Sequence, residues 1–169
     1  MKFKFAFISL LSIILFLVIS CSDTTEIDDT TVTNEYLSLV GTVTHRTATT
    51  QELNKLTRPS LKTNCTLDGD TGCSDGASSE FERYVRECTD YPRSWPPSGS
   101  VSTFYKSMIY YVDSDSDINL DHYQDELQTH VNQIINSVGS AAYINADIVY
   151  FECRDRQNNS CVIQYTVYK

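Results

Sequence analysis

One long apolar run, Phe5 to Ile19, broken only by Ser9 and Ser12, sets the terms for everything downstream of it. It is 15 residues long, with Lys2 and Lys4 before it and the small Ser20 and Cys21 after it. A helix needs about 20 apolar residues to cross a bilayer, whereas about 7–15 serve as the apolar region of a secretory signal. The chain then turns polar and acidic, SDTTEIDDTTVTNE, with no Lys or Arg to act as a cytoplasmic stop. Residues 1–20 therefore read as a removable signal peptide. Any globular fold has to be built from the residues beyond it.

The end of that run carries a resemblance. Val18-Ile19-Ser20-Cys21 resembles the lipobox of bacterial lipoproteins, with Val where Leu is commoner three positions before the Cys. In that family a signal peptidase cuts before the Cys. The Cys sulfur receives a diacylglycerol, and its amine is then usually acylated. The resemblance covers about 20 residues and implies Cys21 as a lipidated first residue of the mature chain. Buried lipid contributes about 0.8 kcal/mol per CH₂, and two or more chains anchor stably. The expected location is the bacterial cell envelope, on the outer membrane, attached without spanning it. Ser22 stands where Asp would suggest inner-membrane retention in enteric-type sorting. Asp23, Glu26, Asp28 and Asp29 resemble acidic export signals of surface lipoproteins. Asp23-Thr24-Thr25 and Asp29-Thr30-Thr31 resemble an O-glycosylation motif. Residues 21–34 have too little apolar content to bury themselves and read as a tether. Residues 35–169 remain for a single domain.

Charge narrows the partners. The whole chain carries -9; without Lys2 and Lys4, 11 basic residues face 22 acidic ones. Nucleic acid is disfavoured, because phosphate neutralisation needs Lys and Arg. An acidic exterior suits solubility and a basic partner.

Hydrophobic periodicity gives an α+β pattern. Glu35 to His45 alternates and predicts a first strand. Thr49 to Glu52 has capping-box form and predicts a short helix ended by Pro59. Residues 60–79 read as a polar loop. Phe81, Tyr84, Val85 and Cys88 predict a short amphipathic helix starting near Ser79. Pro92, Pro96 and Pro97 make the next segment a loop. Val101 to Val112 is dense in β-branched and aromatic residues and predicts a strand. Tyr123, Leu127, Val131, Ile134, Ile135 and Val138 predict one long helix over about 121–138, ended by Gly139. Ala142 to Cys153 and Cys161 to Tyr168 predict an antiparallel hairpin. The simplest architecture is a small antiparallel sheet of about four strands with the long helix packed on one face and disulfide-stabilised loops.

There are six cysteines. If Cys21 is lipidated, five remain. Local separation favours Cys153–Cys161 across the hairpin and Cys65–Cys73 across an acidic loop, leaving Cys88. The rival is a bridge from Cys88 to Cys65 or Cys73. Zinc is disfavoured, because no C-x2-C spacing occurs.

Asp113, Asp115, Asp117, Asn119 and Asp121 alternate before the long helix, as in the first half of a Ca²⁺-binding loop. The match breaks at Ile118, where Gly is needed, and at Gln124, where Glu is needed. The same residues also read as a solvated turn feeding a helix N-terminus. Apart from such calcium, no cofactor is expected. His122, Glu126 and His130 share a helical spacing, on the polar flank of the long helix. No nucleophile signature is present, and no catalytic residue is assigned. Of eleven tyrosines, seven (105, 110, 111, 143, 150, 165 and 168) fall on expected strands. Tyr105, Tyr110 and Tyr111, with Trp95, are the candidate binding residues, because such rings combine contact area with a polar tip.

The expected function is a lipid-anchored binding or accessory protein acting on a protein, peptide or glycan. An inhibitor or immunity-type binder of a basic protein is one version. The alternatives are a small envelope hydrolase and a purely structural lipoprotein.

Overall fold

The strongest β-forming segments do become the sheet. The computed structural model describes residues 35–65, 70–72, 75–110, 117–119, 123–152 and 159–169, which belong to one compact unit, Thr33–Lys169. The elements are β1 (Val43–Thr47), α1 (Thr50–Lys55), β2 (Asp70–Gly72), α2 (Asp75–Glu87), β3 (Ser100–Tyr110), β4 (Asp117–Asn119), α3 (Gln124–Val138), β5 (Tyr143–Glu152) and β6 (Asn159–Tyr168). The fold is α+β. Four antiparallel strands form one sheet in the order β1-β3-β6-β5, and β2 pairs with β4 separately.

One face of the sheet is the core. Phe104, Met108 and Tyr110 of β3, Cys161, Ile163, Tyr165 and Val167 of β6, and Ile144 and Ala146 of β5 are all buried there. Onto them α3 lays Leu127, Val131 and Ile134, each 0% exposed, and α2 lays Phe81, Tyr84 and Val85. A bulge between Ile148 and Tyr150 adds one residue to β5. That shift turns Phe151 to the core face, where it stacks on Tyr110 with centroids 5.2 Å apart. Without the bulge, the alternation along β5 would send Tyr150 inward instead.

Several expectations need correction. Glu35 to His45 is not one strand. Residues 35–39 form a helical turn, and the strand begins at Val43. Gly41, at φ 81°, makes the break; its N–H donates to the Tyr105 carbonyl at 2.9 Å. The expected loop over 60–79 contains β2 and the start of α2, four residues before Ser79. The short helix α1 has the expected capping box between Thr49 and Glu52, but it stops at Leu56, before Pro59. The described part of the long helix starts at Gln124 and ends at Gly139, at φ 88°; Asp121 and His122 lie outside the described residues.

The cysteine pairing is the rival one. Cys65 is bonded to Cys88, with Cα atoms 5.6 Å apart, so Cys65 does not pair with Cys73. Cys161 is a free, buried thiol, so the Cys153–Cys161 pair is also replaced. The physical reason lies in β6: Cys161 points into the core beside Met108 and Phe151, not across the hairpin base. Cys73 and Cys153 lie outside the described residues. The Cys65–Cys88 bridge spans 23 residues and ties the loop after α1 to the end of α2. Closing a loop of that length stabilises by about 3 kcal/mol.

Candidate functional site

The longer helices α2 and α3 both pack on the core face; on the opposite face α1 reaches the first row, where its Glu52 bonds Arg46, the residue paired with Val101. Register places the side chains of that opposite face in rows across β3, β6 and β5. Val101, Tyr168 and Tyr143 form the first row, then Thr103, Thr166 and Asn145, then Tyr105, Gln164 and Asp147. Ser107, Val162 and Tyr150 come after these, and Ile109, Ser160 and Glu152 close the set. At about 6.7 Å per row and 4.8 Å per strand, this is a platform ~27 Å long and ~10 Å wide. Val101 and Val162 are buried beneath their neighbours, Ser107 is exposed, and Ile109 is 59% exposed. The four tyrosines are half-buried.

Local hydrogen bonds fix these side chains. Tyr150 donates its hydroxyl to Glu152 Oε2 at 2.7 Å, and Asn145 Nδ2 donates to Asp147 Oδ2 at 2.9 Å. Tyr143 and Tyr168 lie side by side, with centroids 6.1 Å apart and planes tilted by 60°. Burial raises the Tyr168 phenol above its ordinary value, so it stays a neutral donor. Rigid aromatic surface combined with amide, carboxylate and hydroxyl groups can stack on and hydrogen-bond to a ligand laid along the strands.

The expected binding residues divide. Tyr105 sits on this platform. Tyr110 does not: it is 0% exposed, on the core face, and donates to the Glu152 carbonyl at 2.5 Å. An odd step along the strand separates it from Tyr105, which places the two on opposite faces. Trp95 is half-buried in the loop before β3 and belongs to none of the rows, and Tyr111 lies outside the described residues. Tyr143, Tyr150 and Tyr168 share the platform although nothing in the sequence marks them out beyond their place on expected strands.

A groove on the core side joins a histidine to a serine. His45 Nδ1 is 2.8 Å from Ser102 Oγ, and Arg46, Ser100, Ser137 and Lys169 line the same groove. The groove resembles part of a nucleophile site, but its parts are otherwise engaged. Arg46 donates to both Glu52 carboxylate oxygens, at 2.9 and 2.6 Å, which holds that carboxyl down at about 2. Lys169 Nζ donates to the Val138 carbonyl at 2.7 Å. Among the described residues no carboxylate orients the second ring nitrogen of His45, as a working triad requires.

Periodicity alone misplaces the third histidine. His130 is 7% exposed and faces the core, not the polar flank. Its Nδ1 is 3.0 Å from the Tyr165 hydroxyl, with the rings edge to face. Burial, helped by Lys106, pushes the imidazole down to about 4. Burial, helped by Glu126, pushes the Cys161 thiol up to about 12, and burial also raises Tyr165 and Glu126. His130, Cys161 and Tyr165 are thus held in their neutral forms at pH 7. A neutral thiol is a poor nucleophile, so this cluster serves the core. His122 lies outside the described residues.

The calcium-type loop is partly visible. Asp117 and Asn119 flank Ile118 in β4, which pairs with β2 so that Asp70 faces Asn119 and Gly72 faces Asp117. The two acidic stretches thus meet, which their sequence separation concealed. Asp113, Asp115 and Asp121 lie outside the described residues. Among the described residues no three His, Cys, Asp or Glu side chains gather as metal ligands, and no helix is long and apolar enough to cross a membrane. No known protein family, curated protein or solved structure matches this chain.

Proposed function

We propose that this protein is a lipid-anchored binding or accessory module of the bacterial cell envelope, which docks a partner on the open sheet face. The observation that carries the reading is the row pattern of Tyr105, Tyr143, Tyr150 and Tyr168 among Gln164, Thr166, Asn145 and Asp147. Lipidation at Cys21, by resemblance to the lipobox, supplies the address. Asp147 and Glu152 on the platform, and the net charge of -9, favour a basic protein as partner. An inhibitor or immunity-type role fits that pairing.

Two measurements test it. Intact mass of the purified envelope protein is expected to show loss of residues 1–20 and a gain of lipid mass on Cys21. An uncleaved, unlipidated chain would sink the address. Photocrosslinking groups placed at Tyr105 or Thr166 are expected to trap a basic protein in a salt-sensitive manner, and the same group at exposed Leu61 is not. Equal trapping from all three positions would remove the platform from the mechanism.

The hydrolase alternative rests on the His45–Ser102 contact. It requires that Ser102→Ala abolish an esterase activity of the purified chain. Activity that survives this substitution, or that is missing from the start, leaves the binding reading in place.

A further inference from the structure

The described residues include five arginines, and three are engaged. Arg46 forks onto Glu52, and Arg83 bonds Glu80. Arg93 lies 3.8 Å over the Tyr91 ring and donates to the Thr89 carbonyl. Among the described residues, Arg58 and Arg86 alone have neither a hydrogen bond nor an ion pair through the guanidinium. Both line one pocket, with Thr57, Ser60, Glu87 and Tyr143. In a chain with 22 acidic and 13 basic residues, two unpaired guanidinium groups sharing a pocket call for a reason.

The carboxylate that lines the pocket does not supply it. Glu87 is taken by Lys62, whose Nζ is 2.5 Å from Oε2. Lys62 is the main cause of the lowered Glu87 pKa, and Arg86 adds a smaller effect through its field. Among the described residues, the charges that line the pocket or pair with its lining are therefore two arginines, one lysine and one carboxylate, an excess of positive charge. Helix-end electrostatics accounts for Arg86, which stands in the last turn of α2. It does not account for Arg58, which comes after the end of α1 in no helix. Nor is the pocket an accident of loose chain. The Cys65–Cys88 bond and the Lys62–Glu87 pair both tie the loop carrying Arg58 to the end of α2.

We propose that this pocket binds one anionic group, a carboxylate or a phosphate monoester, between the Arg58 and Arg86 guanidiniums, with the Thr57, Ser60 and Tyr143 hydroxyls as further donors. Arginine forks match both anions in geometry, and charge-assisted bonds are the strong ones. The cavity is about 180 Å³. That is below the ~300–1,000 Å³ of sites that enclose a whole small molecule. It takes the charged group of a ligand whose remainder lies outside. The groove at His45 is the useful contrast: it also holds cations, but Arg46 and Lys169 are already bonded within the protein. The pocket meets the platform at Tyr143, but Arg58 and Arg86 belong to none of the platform rows, so their variants test the anion site separately from the platform.

The test is an amide-resolved NMR titration of the full chain in neutral detergent, at fixed ionic strength. Inorganic phosphate is one probe and glucuronate the other. Saturable shifts are expected at Thr57–Ser60, Arg86–Glu87 and Tyr143. Arg58→Ala and Arg86→Ala are each expected to weaken binding by about tenfold or more. Arg46→Ala, in the other groove, should change it by less than about twofold, because its guanidinium is already forked onto Glu52 and exposed pairs contribute little. Arg58→Lys keeps the charge, loses the fork and should fall between. Saturation by phosphate alone identifies a phosphomonoester, and saturation by glucuronate alone a sugar acid. Shifts that never saturate with either probe, or that persist in the double Arg58→Ala/Arg86→Ala variant, overturn the site. Arg58 is exposed, so its variant keeps the test valid if the Arg86 variant does not fold.

Discussion

Tyr165 and Thr166 are neighbours on β6, yet they live in different solvents. Tyr165 is fully buried under α3, its hydroxyl engaged with His130. Thr166 stands on the open face between Thr103 and Asn145. The same alternation divides Tyr110 from Tyr105 on β3 and Phe151 from Tyr150 on β5. The core face satisfies its polar atoms internally. The open face keeps aromatic and amide groups at the surface, where Tyr150 bonds Glu152 and Asn145 bonds Asp147 along the same strand. Aromatic content alone is therefore a poor guide to function; what decides is the parity of each residue in its strand.

Four measurements probe that division of the sheet. The largest effect is expected from Leu127→Ala, which empties a fully buried site between α3 and the sheet. It should cost about 2–5 kcal/mol in urea unfolding. A loss below about 1 kcal/mol would mean that α3 is not the lid of the core. Next, Cys65→Ser should cost about 3 kcal/mol by releasing the chain-entropy constraint. Unchanged stability under reduction would show that the bridge does not hold the fold.

The buried histidine comes third. Its folded pKa of about 4 lies below the unfolded value of 6.5. The unfolded state then binds more protons between these values, so stability should fall as pH drops from about 6.5 to about 4. The loss is on the order of 3 kcal/mol from this group. His130→Gln should flatten that slope, and an unchanged slope would assign it to carboxylates. The smallest stability effect is expected on the open face. Thr166→Ala should cost less than about 1 kcal/mol, while weakening partner capture. A large stability loss there would show that the platform is packing, not recognition.

Much of the frame is legible in the chain. The stripe Leu127, Val131 and Ile134 announces α3, and the β-branched runs announce β3, β5 and β6. The edge strand β1 is only partly legible: the alternation over Glu35 to His45 reaches its first three residues, but all five are exposed and nothing in the pattern marks where the strand begins. His130 escapes a helical wheel because it borders the apolar stripe, and a wheel does not say how far the sheet reaches around. The disulfide escapes because separation along a loop says nothing about where α2 returns. The platform rows cannot be read from sequence at all. They require knowing that β3 pairs with β6, so that Tyr105 meets Gln164 across 59 positions of chain. Arg58 and Arg86 likewise meet only through tertiary contact.

The place of β6 in the sheet bears on how the domain comes into being. It is the last strand in chain order, yet it sits between β3 and β5. Until it arrives, β3 and β5 have no common neighbour, and neither the core face nor the platform rows exist. Its pairing with β3 is long-range, the kind that forms slowly. Under the proposed lipidation of Cys21, a chain delivered from its N-terminus would thus be attached at its front while its domain is still open. Threading through a narrow channel and folding afterwards are compatible for such an order of strands.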